Sequence, residues 1–358
     1  MASSIRTLNP ATGKIEKEFQ AYTSDEINQY IDEAHELYQT WRFESFEERK
    51  AVMKRVANEM RVQKSRLAAL ITTEMGKPLS ESEIEVEYSA NIIEYYADNA
   101  AEFLADTQLE TEKGTAYVVS EPIGVLLGVM PWNFPFSQIA RFAGPHIMVG
   151  NTVVLKTASN IPQCGIAFEE MFTAAGAPKG LYKNLLVSGK DTDSIVENPK
   201  IVGVSLTGSE AAGAQVASLA GKNVKPSVLE LGGSDPMIVL DDADIEKVMN
   251  GTINGRLRNA GQACTSSKRI IVQEGIYDEY LKQITAYVNN MKVGDPTQAD
   301  TNMGPVSSET ALVKLLDQVN QSVEKGAKIV SGGKRIDRDG FFLQPTILTE
   351  IKPGMKAY

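Results

Sequence analysis

Two amino acids that commonly carry metal and acid–base chemistry are almost missing: the 358-residue chain holds two cysteines, Cys164 and Cys264, and two histidines, His35 and His146. So few thiols exclude a disulfide framework, and so few Cys and His side chains argue against a zinc site built from them, so no metal is expected. Basic residues are short as well, 36 Lys and Arg against 46 Asp and Glu, for a formal net charge of −10. A nucleic-acid interface needs a basic face, so nucleic acid is not an expected partner. No apolar run approaches the roughly 20 residues that span a bilayer. The opening residues, Met1-Ala2-Ser3-Ser4-Ile5-Arg6, lack the apolar stretch of a secretory signal. The expectation is a cytoplasmic protein with no membrane partner, in a reducing compartment that suits a free thiol. Its polar chemistry then falls to Cys, Glu, Asn, Lys and Arg.

What is present is a globular composition, 42% hydrophobic and 23% charged, on a chain too long for one ordinary core. Two domains are expected. The first hundred residues read as helical. Thr23-Ser24-Asp25-Glu26, Ser45-Phe46-Glu47-Glu48 and Ser80-Glu81-Ser82-Glu83 each have the form of a capping box opening a helix. Ile27, Ile31, Ala34 and Tyr38 recur at helical spacing as a buried stripe, and the second helix is expected to run to Met75 and stop at Gly76-Lys77-Pro78. The charges at Glu81, Glu83, Glu85 and Glu87 read as a solvated face. From Leu109 to Val119 the residues turn to Thr, Tyr and Val, which favours extended chain. Strands are then expected at 123–130, 152–156, 184–187, 201–206 and 227–231, with helices near 136–149, 162–175 and 209–221 between them. That alternation predicts an α/β fold with a parallel sheet and helices on its faces. A second α/β region follows Gly233, with strands near 237–240 and 269–272 and helices near 245–259, 276–291 and 309–326.

Five segments carry chemistry. Cys264 closes Asn259-Ala260-Gly261-Gln262-Ala263-Cys264, and Glu230 lies in Leu229-Glu230-Leu231-Gly232-Gly233. A thiolate is a strong nucleophile, and a carboxylate can take a proton from it or from water. A lone cysteine is more often a small buried hydrophobe, but the small residues flanking both candidates allow substrate and cofactor to approach the backbone. Pro131-Trp132-Asn133-Phe134-Pro135 follows a strand, where an Asn amide can donate to a developing oxyanion; alone, it is a turn. Val204-Ser205-Leu206-Thr207-Gly208-Ser209, followed by Gly213, runs a strand into a glycine turn and a helix start suited to phosphate. It lacks the G-x-G-x-x-G fingerprint, so the nucleotide signal is incomplete. Val153-Val154-Leu155-Lys156-Thr157-Ala158-Ser159 puts a cation at the crevice where such sheets bind ligands, although Lys156 alone reads as a surface lysine.

Taken together these segments resemble the aldehyde dehydrogenase superfamily. The resemblance runs from Asn9-Pro10-Ala11-Thr12-Gly13 to the last residues, and rests most on the Pro-Trp-Asn-Phe-Pro turn, Leu206-Thr207-Gly208-Ser209, Glu230-Leu231-Gly232-Gly233 and Gly261-Gln262-Ala263-Cys264, in the family's order and with its Glu-to-Cys spacing. It implies Cys264 as nucleophile, Glu230 as general base, and the Asn133 amide with the Cys264 backbone N–H as oxyanion hole. It implies an NAD or NADP site holding the adenosine ribose at Lys156 and Ser159 and the pyrophosphate at Gly208 and Ser209, with Trp132 and Leu231 also at the cofactor. The implied architecture is a variant Rossmann cofactor domain (1–108 and 122–232), an oligomerisation hairpin (109–121) and a second α/β catalytic domain (233–358). The implied reaction is aldehyde oxidation to the acid through a thiohemiacetal and a thioester. The branch of the superfamily that transfers the acyl group to coenzyme A lacks the glutamate, so Glu230 favours hydrolysis. Ser159 stands where many members have a glutamate that repels a 2′-phosphate, which implies that NADP is accepted alongside NAD.

Arg141, eight residues after Asn133, and Arg258, six before Cys264, resemble the positions at which succinate-semialdehyde dehydrogenases hold a carboxylate. Two guanidinium groups on one pocket suit a substrate with an acid at its far end. Succinate semialdehyde is therefore the expected substrate, another small aldehyde the alternative. Relative to the family the chain stops early, at Tyr358, before a Glu-containing Phe-Gly-Pro motif and the rest of the catalytic domain. The catalytic domain is thus expected to be incomplete, with apolar surface uncovered. A homo-oligomer is implied by the family, and a non-catalytic NAD(P)-binding module is the alternative to an enzyme.

Overall fold

The computed structural model describes residues 4–358. It divides into two compact units, the first comprising residues up to Thr7, Lys17–Leu70 and Glu83–Leu231, the second Leu8–Glu16, Ile71–Ser82 and Gly232–Tyr358. The long helices and the N-terminal ribbon contribute to both, because chain continuity over a helix need not follow the core it packs on. Residues 1–3 of the expected cofactor domain lie outside the described residues.

The chain opens with a two-stranded sheet of β1 (Ser4–Asn9) and β2 (Lys14–Gln20), followed by α1 (Ser24–Trp41), α2 (Phe46–Val62), α3 (Lys64–Met75) and α4 (Leu79–Phe103). The Thr23 box forms in full: its hydroxyl accepts from Glu26 N–H at 3.3 Å while the Glu26 carboxylate accepts from Thr23 N–H at 2.7 Å. At Ser45 only the forward half forms. Ser80 caps nothing, since α4 starts one residue earlier, directly after Pro78, whose fixed φ presets the first turn. The expected single second helix is two, α2 and α3, kinked at Gln63 (φ −101°, ψ 16°), where no Gly or Pro marks the break.

An exposed antiparallel hairpin of β3 (Thr107–Leu109) and β4 (Ala116–Val118) precedes the main sheet. That sheet comprises β5 (Val125–Met130), β6 (Thr152–Thr157), β7 (Tyr182–Asn184), β8 (Ile201–Thr207) and β9 (Ser227–Glu230), all parallel, in the order β7-β6-β5-β8-β9. The first strand is central, the next two add on one side and the last two on the other. Right-handed crossovers then force α5 (Pro135–Val149) and α6 (Pro162–Ala174) onto one face, and α7 (Thr192–Glu197) and α8 (Glu210–Lys222) onto the other. The α7/α8 face closes over α1: Ile27, Ile31 and Ala34 share a core with Val125, Leu127, Val204, Val216 and Ala220. The apolar run expected as strand 184–187 enters the ladder only through Asn184. Leu185, Leu186 and Val187 are buried past the end of β7, where the Leu185 N–H still donates to Leu155 O at 2.7 Å and Leu186 O accepts from Tyr22 N–H at 2.8 Å.

The second unit contains the parallel pair β10 (Pro236–Val239) and β11 (Arg269–Val272), α9 (Ile245–Thr252), α10 (Glu274–Asn290) and α11 (Glu309–Glu324), and the antiparallel pair β12 (Lys328–Ser331) and β13 (Ile347–Thr349). Its core includes Met249, Tyr280, Ile284 and Val288. The helix expected over 245–259 is regular only to Thr252. A π turn (Ile253–Leu257) and a 3-10 turn (Arg258–Gly261) follow, because Asn259 and Ala260 adopt left-handed φ of 54° and 52° that no helix accommodates. Apolar strand residues remain open in both units: Val228 on β9, Ile238 on β10 and Ile271 on β11 are 60%, 65% and 50% exposed. No helix among the described residues is long and apolar enough to cross a membrane.

Candidate active site

Parallel pairing brings the carboxyl ends of β5, β6, β8 and β9 to one edge of the first unit's sheet, and the strand order reverses at β5, the usual position of a ligand crevice. Trp132 and Asn133 follow β5, Lys156 lies within β6, Ser159 just beyond it, Gly208 and Ser209 follow β8, and Glu230 and Leu231 end β9. All the expected cofactor residues therefore sit on this edge. A shallow depression lies at the ends of β6 and β7, lined by Thr157, Ala158, Ser159, Pro162, Leu185 and Val187. Polar and apolar side chains both line it, and Ser159 is exposed at its rim.

Lys156 is only 7% exposed, and its ammonium donates to the Thr157 carbonyl at 3.1 Å. Burial holds its pKa below the ordinary lysine value, partly opposed by the Asp191 carboxylate. At the head of α8, Ser209 is the N-cap, its hydroxyl accepting from Ala212 N–H at 3.3 Å. The Gly208 N–H donates to the Glu230 carbonyl at 2.9 Å, so the open turn and the next amides of α8, rather than the Gly208 amide, are left to face an anion. Gly213, one turn into α8, admits Leu231: a Cβ there would lie 2.7 Å from a Leu231 methyl. These features fit a dinucleotide: a buried cation beside an exposed hydroxyl, and a helix N-terminus on the same edge.

Asn133 is half-buried two residues before Pro135, the first residue of α5. That helix has no side-chain cap of its own, since Phe134 stands at the N-cap. Glu85 from α4 substitutes for one: its carboxylate accepts from Phe136 N–H at 3.0 Å and Ser137 N–H at 3.4 Å. Glu85 is fully buried, which corrects its reading as part of a solvated face. An acceptor at the positive end of the helix dipole meets amides that would otherwise lack a partner. Arg141, two turns further along α5, is exposed; its guanidinium donates to the Tyr88 hydroxyl at 3.2 Å and lies 5.9 Å from that ring's centroid.

In the second unit Cys264 is exposed in a turn closed by Ser266 N–H to Ala263 O at 3.2 Å. Upstream, Asn259, Ala260 and Gly261 are consecutively left-handed. Asn259 is held by the Glu81 carboxylate, which accepts its N–H at 2.9 Å, and by its own amide donating to Gln262 O at 3.2 Å. Glu81 thus also has a buried-loop partner rather than serving only solvent. The Gln262 side chain accepts from Ser307 N–H at 3.0 Å, and Arg256, whose pKa burial depresses, donates to Gly261 O at 3.3 Å. Gly261 is required on two counts, a φ of 73° and a Cβ position 2.6 Å from the Arg256 guanidinium. Arg258 is exposed on the same segment. Glu81 and Glu85 were read in the sequence only as a solvated face, and Tyr88 and Lys268 were not singled out; their only signal was spacing on α4 and, for Lys268, proximity to Cys264.

Strand order, switch point and helix-capped turn define a doubly wound α/β protein with a dinucleotide-type crevice. The family model for the aldehyde dehydrogenase family matches residues 1–358. A succinate-semialdehyde dehydrogenase (NADP+) of Deinococcus radiodurans is 44% identical over 352 residues, covering 98% of this chain and 74% of its own. One from Mycobacterium tuberculosis is 41% identical over 357 residues, covering 99% and 78%. The crystal structure of succinic semialdehyde dehydrogenase from Streptococcus pyogenes in complex with NADP+ superposes with a TM-score of 0.96 at 42% identity, covering 99% of this chain and 78% of that one. The chain belongs to the aldehyde dehydrogenase family, and is an NAD(P)-dependent oxidoreductase acting on aldehydes.

Proposed function

We propose that this chain oxidises succinate semialdehyde to succinate with NADP, using Cys264 as nucleophile. The observation that most supports the cofactor is the buried Lys156 beside exposed, neutral Ser159, a pair able to accept a 2′-phosphate. The substrate reading is supported by the names of the relatives at 41–44% identity and by Arg141 and Arg258, both exposed guanidinium groups. Bound NADP would supply the two-electron acceptor, held by Lys156, Ser159 and the N-terminus of α8, with Trp132 and Leu231 beside it.

In this reading the Cys264 thiolate adds to the aldehyde carbon, forming the C–S bond and moving the carbonyl π electrons onto oxygen. The Asn133 amide and the Cys264 N–H donate to that oxyanion. Each such donor is commonly worth about 3 kcal/mol. After oxidation to the thioester, Glu230 takes a proton from water, the resulting hydroxide adds to the acyl carbon, and the C–S bond breaks to release succinate and the thiolate. The exposed β3/β4 hairpin, with Tyr117 and Val118 open, is the proposed oligomerisation element, and the cytoplasm the proposed location.

Steady-state NADPH formation tests the substrate assignment. Replacing Arg141 or Arg258 with Met is expected to raise KM for succinate semialdehyde about thirtyfold, the loss of one charge-assisted bond of roughly 2 kcal/mol. An uncharged aldehyde of similar length should respond little. Equal losses on both would make the arginines structural and leave the preferred aldehyde open.

A further inference from the structure

We infer that Lys268 is a positioning residue for the oxyanion hole, setting the direction of the Cys264 N–H by holding the carbonyl of the preceding peptide. The inference rests on Cys264 being the nucleophile. The Lys268 ammonium donates to three carbonyl oxygens of the nucleophile turn: Ala263 at 3.1 Å, Cys264 at 2.7 Å and Ser266 at 3.1 Å. An ammonium has three N–H donors, so these bonds account for all of them. The base of its side chain is fixed in turn, since Lys268 N–H donates to Asp235 O at 3.0 Å.

The geometry of the peptide bond gives this clamp its consequence. In a trans peptide the C=O of one residue and the N–H of the next point in opposite directions. No cis peptide bond occurs among the described residues. Drawing the Ala263 carbonyl toward Lys268 therefore turns the Cys264 N–H away from it. Drawing the Cys264 carbonyl the same way turns the Thr265 N–H to the same opposite side. Without the cation, the Ala263 carbonyl would keep only the Ser266 N–H at 3.2 Å, the Cys264 and Ser266 carbonyls would lose the ammonium, and rotation of the 263–264 peptide would relieve the repulsion among the three dipoles. That rotation would carry the Cys264 N–H out of line. The upstream side of the turn is held by Asn259 and Gly261; downstream, Lys268 adds a charged anchor to the neutral Ser266 N–H bond on the Ala263 carbonyl.

Two electrophiles at the same thiol distinguish positioning from general support. Acylation by p-nitrophenyl acetate passes through a tetrahedral oxyanion, whereas alkylation by iodoacetamide does not. On the full chain, Lys268→Met is expected to slow acylation of Cys264 tenfold or more while alkylation stays within about threefold. Both rates are read by mass spectrometry of the Cys264 peptide, with buried Cys164 as internal reference. Lys268→Arg, which restores a cation with several donors, should recover most of the acylation rate, and supplies the reading if the Met variant does not fold. Acylation and alkylation falling together, neither changing, or Arg failing to rescue a folded protein would each overturn the inference. Lack of reaction of Cys264 with either reagent in the parent chain would instead overturn its role as nucleophile.

Discussion

Lys156 is a cation in a setting that disfavours charge, and this makes cofactor choice pH-dependent. Burial lowers its pKa, with Asp191 partly offsetting the effect. A 2′-phosphate beside it would favour the protonated form, so binding NADP should draw protons onto Lys156 at alkaline pH. As pH rises through the depressed pKa the ammonium is lost and NADP affinity should fall, whereas NAD, with no 2′-phosphate, should show a flatter dependence. Cofactor titration by fluorescence across alkaline pH checks this, and Lys156→Met should abolish the difference between the two. Parallel profiles for NADP and NAD in the parent chain would place the discrimination elsewhere. Residue identity alone made Lys156 a candidate, because it stands in a recognisable strand end. Its burial was not legible, since that depends on chain far away in sequence.

Among the elements, α4 departs furthest from its reading in sequence. Its acidic run looks like a solvated face because charges at that density are usually exposed, yet Glu85 is fully buried and serves as the missing cap of α5. A local rule sees capping only from the residue preceding a helix, and Phe134 offers none. Glu85→Ala should leave two buried N–H groups unpaired, at a cost of about 1–3 kcal/mol in denaturant unfolding. It should also lower kcat tenfold or more through the displaced Asn133, with Glu85→Gln milder on both counts. Unchanged stability and kcat in the alanine variant would mean that α5 keeps its start without Glu85. By contrast, the Thr23 box was fully legible, because both of its partners lie within four residues. The segment 245–259 was legible only as far as Thr252: its apolar spacing is helical, but the left-handed turn at Asn259 and Ala260 is held by Glu81 and Gln262, partners that helical periodicity does not register.

At the scale of the whole molecule, the chain combines a five-stranded parallel sheet with strands whose apolar faces are open. Val228, Ile238 and Ile271 are exposed apolar strand residues, and such surface favours association. The alternation of strands and helices, and the order of the four motifs on which the resemblance rests, were readable because each is a local pattern. Which helix covers which strand was not, since it follows from crossover handedness and from packing. The claim that unites these levels is that Cys264 forms the acyl intermediate, and it can be read directly. The chain carrying Glu230→Gln, given succinate semialdehyde and NADP and quenched in acid, should hold a succinyl thioester on the Cys264 peptide, visible by mass spectrometry because its hydrolysis has lost the base. The adduct should be missing from the same chain with Cys264→Ala added. A thioester on Cys164, or no covalent adduct at all in the Glu230→Gln chain, would contradict it.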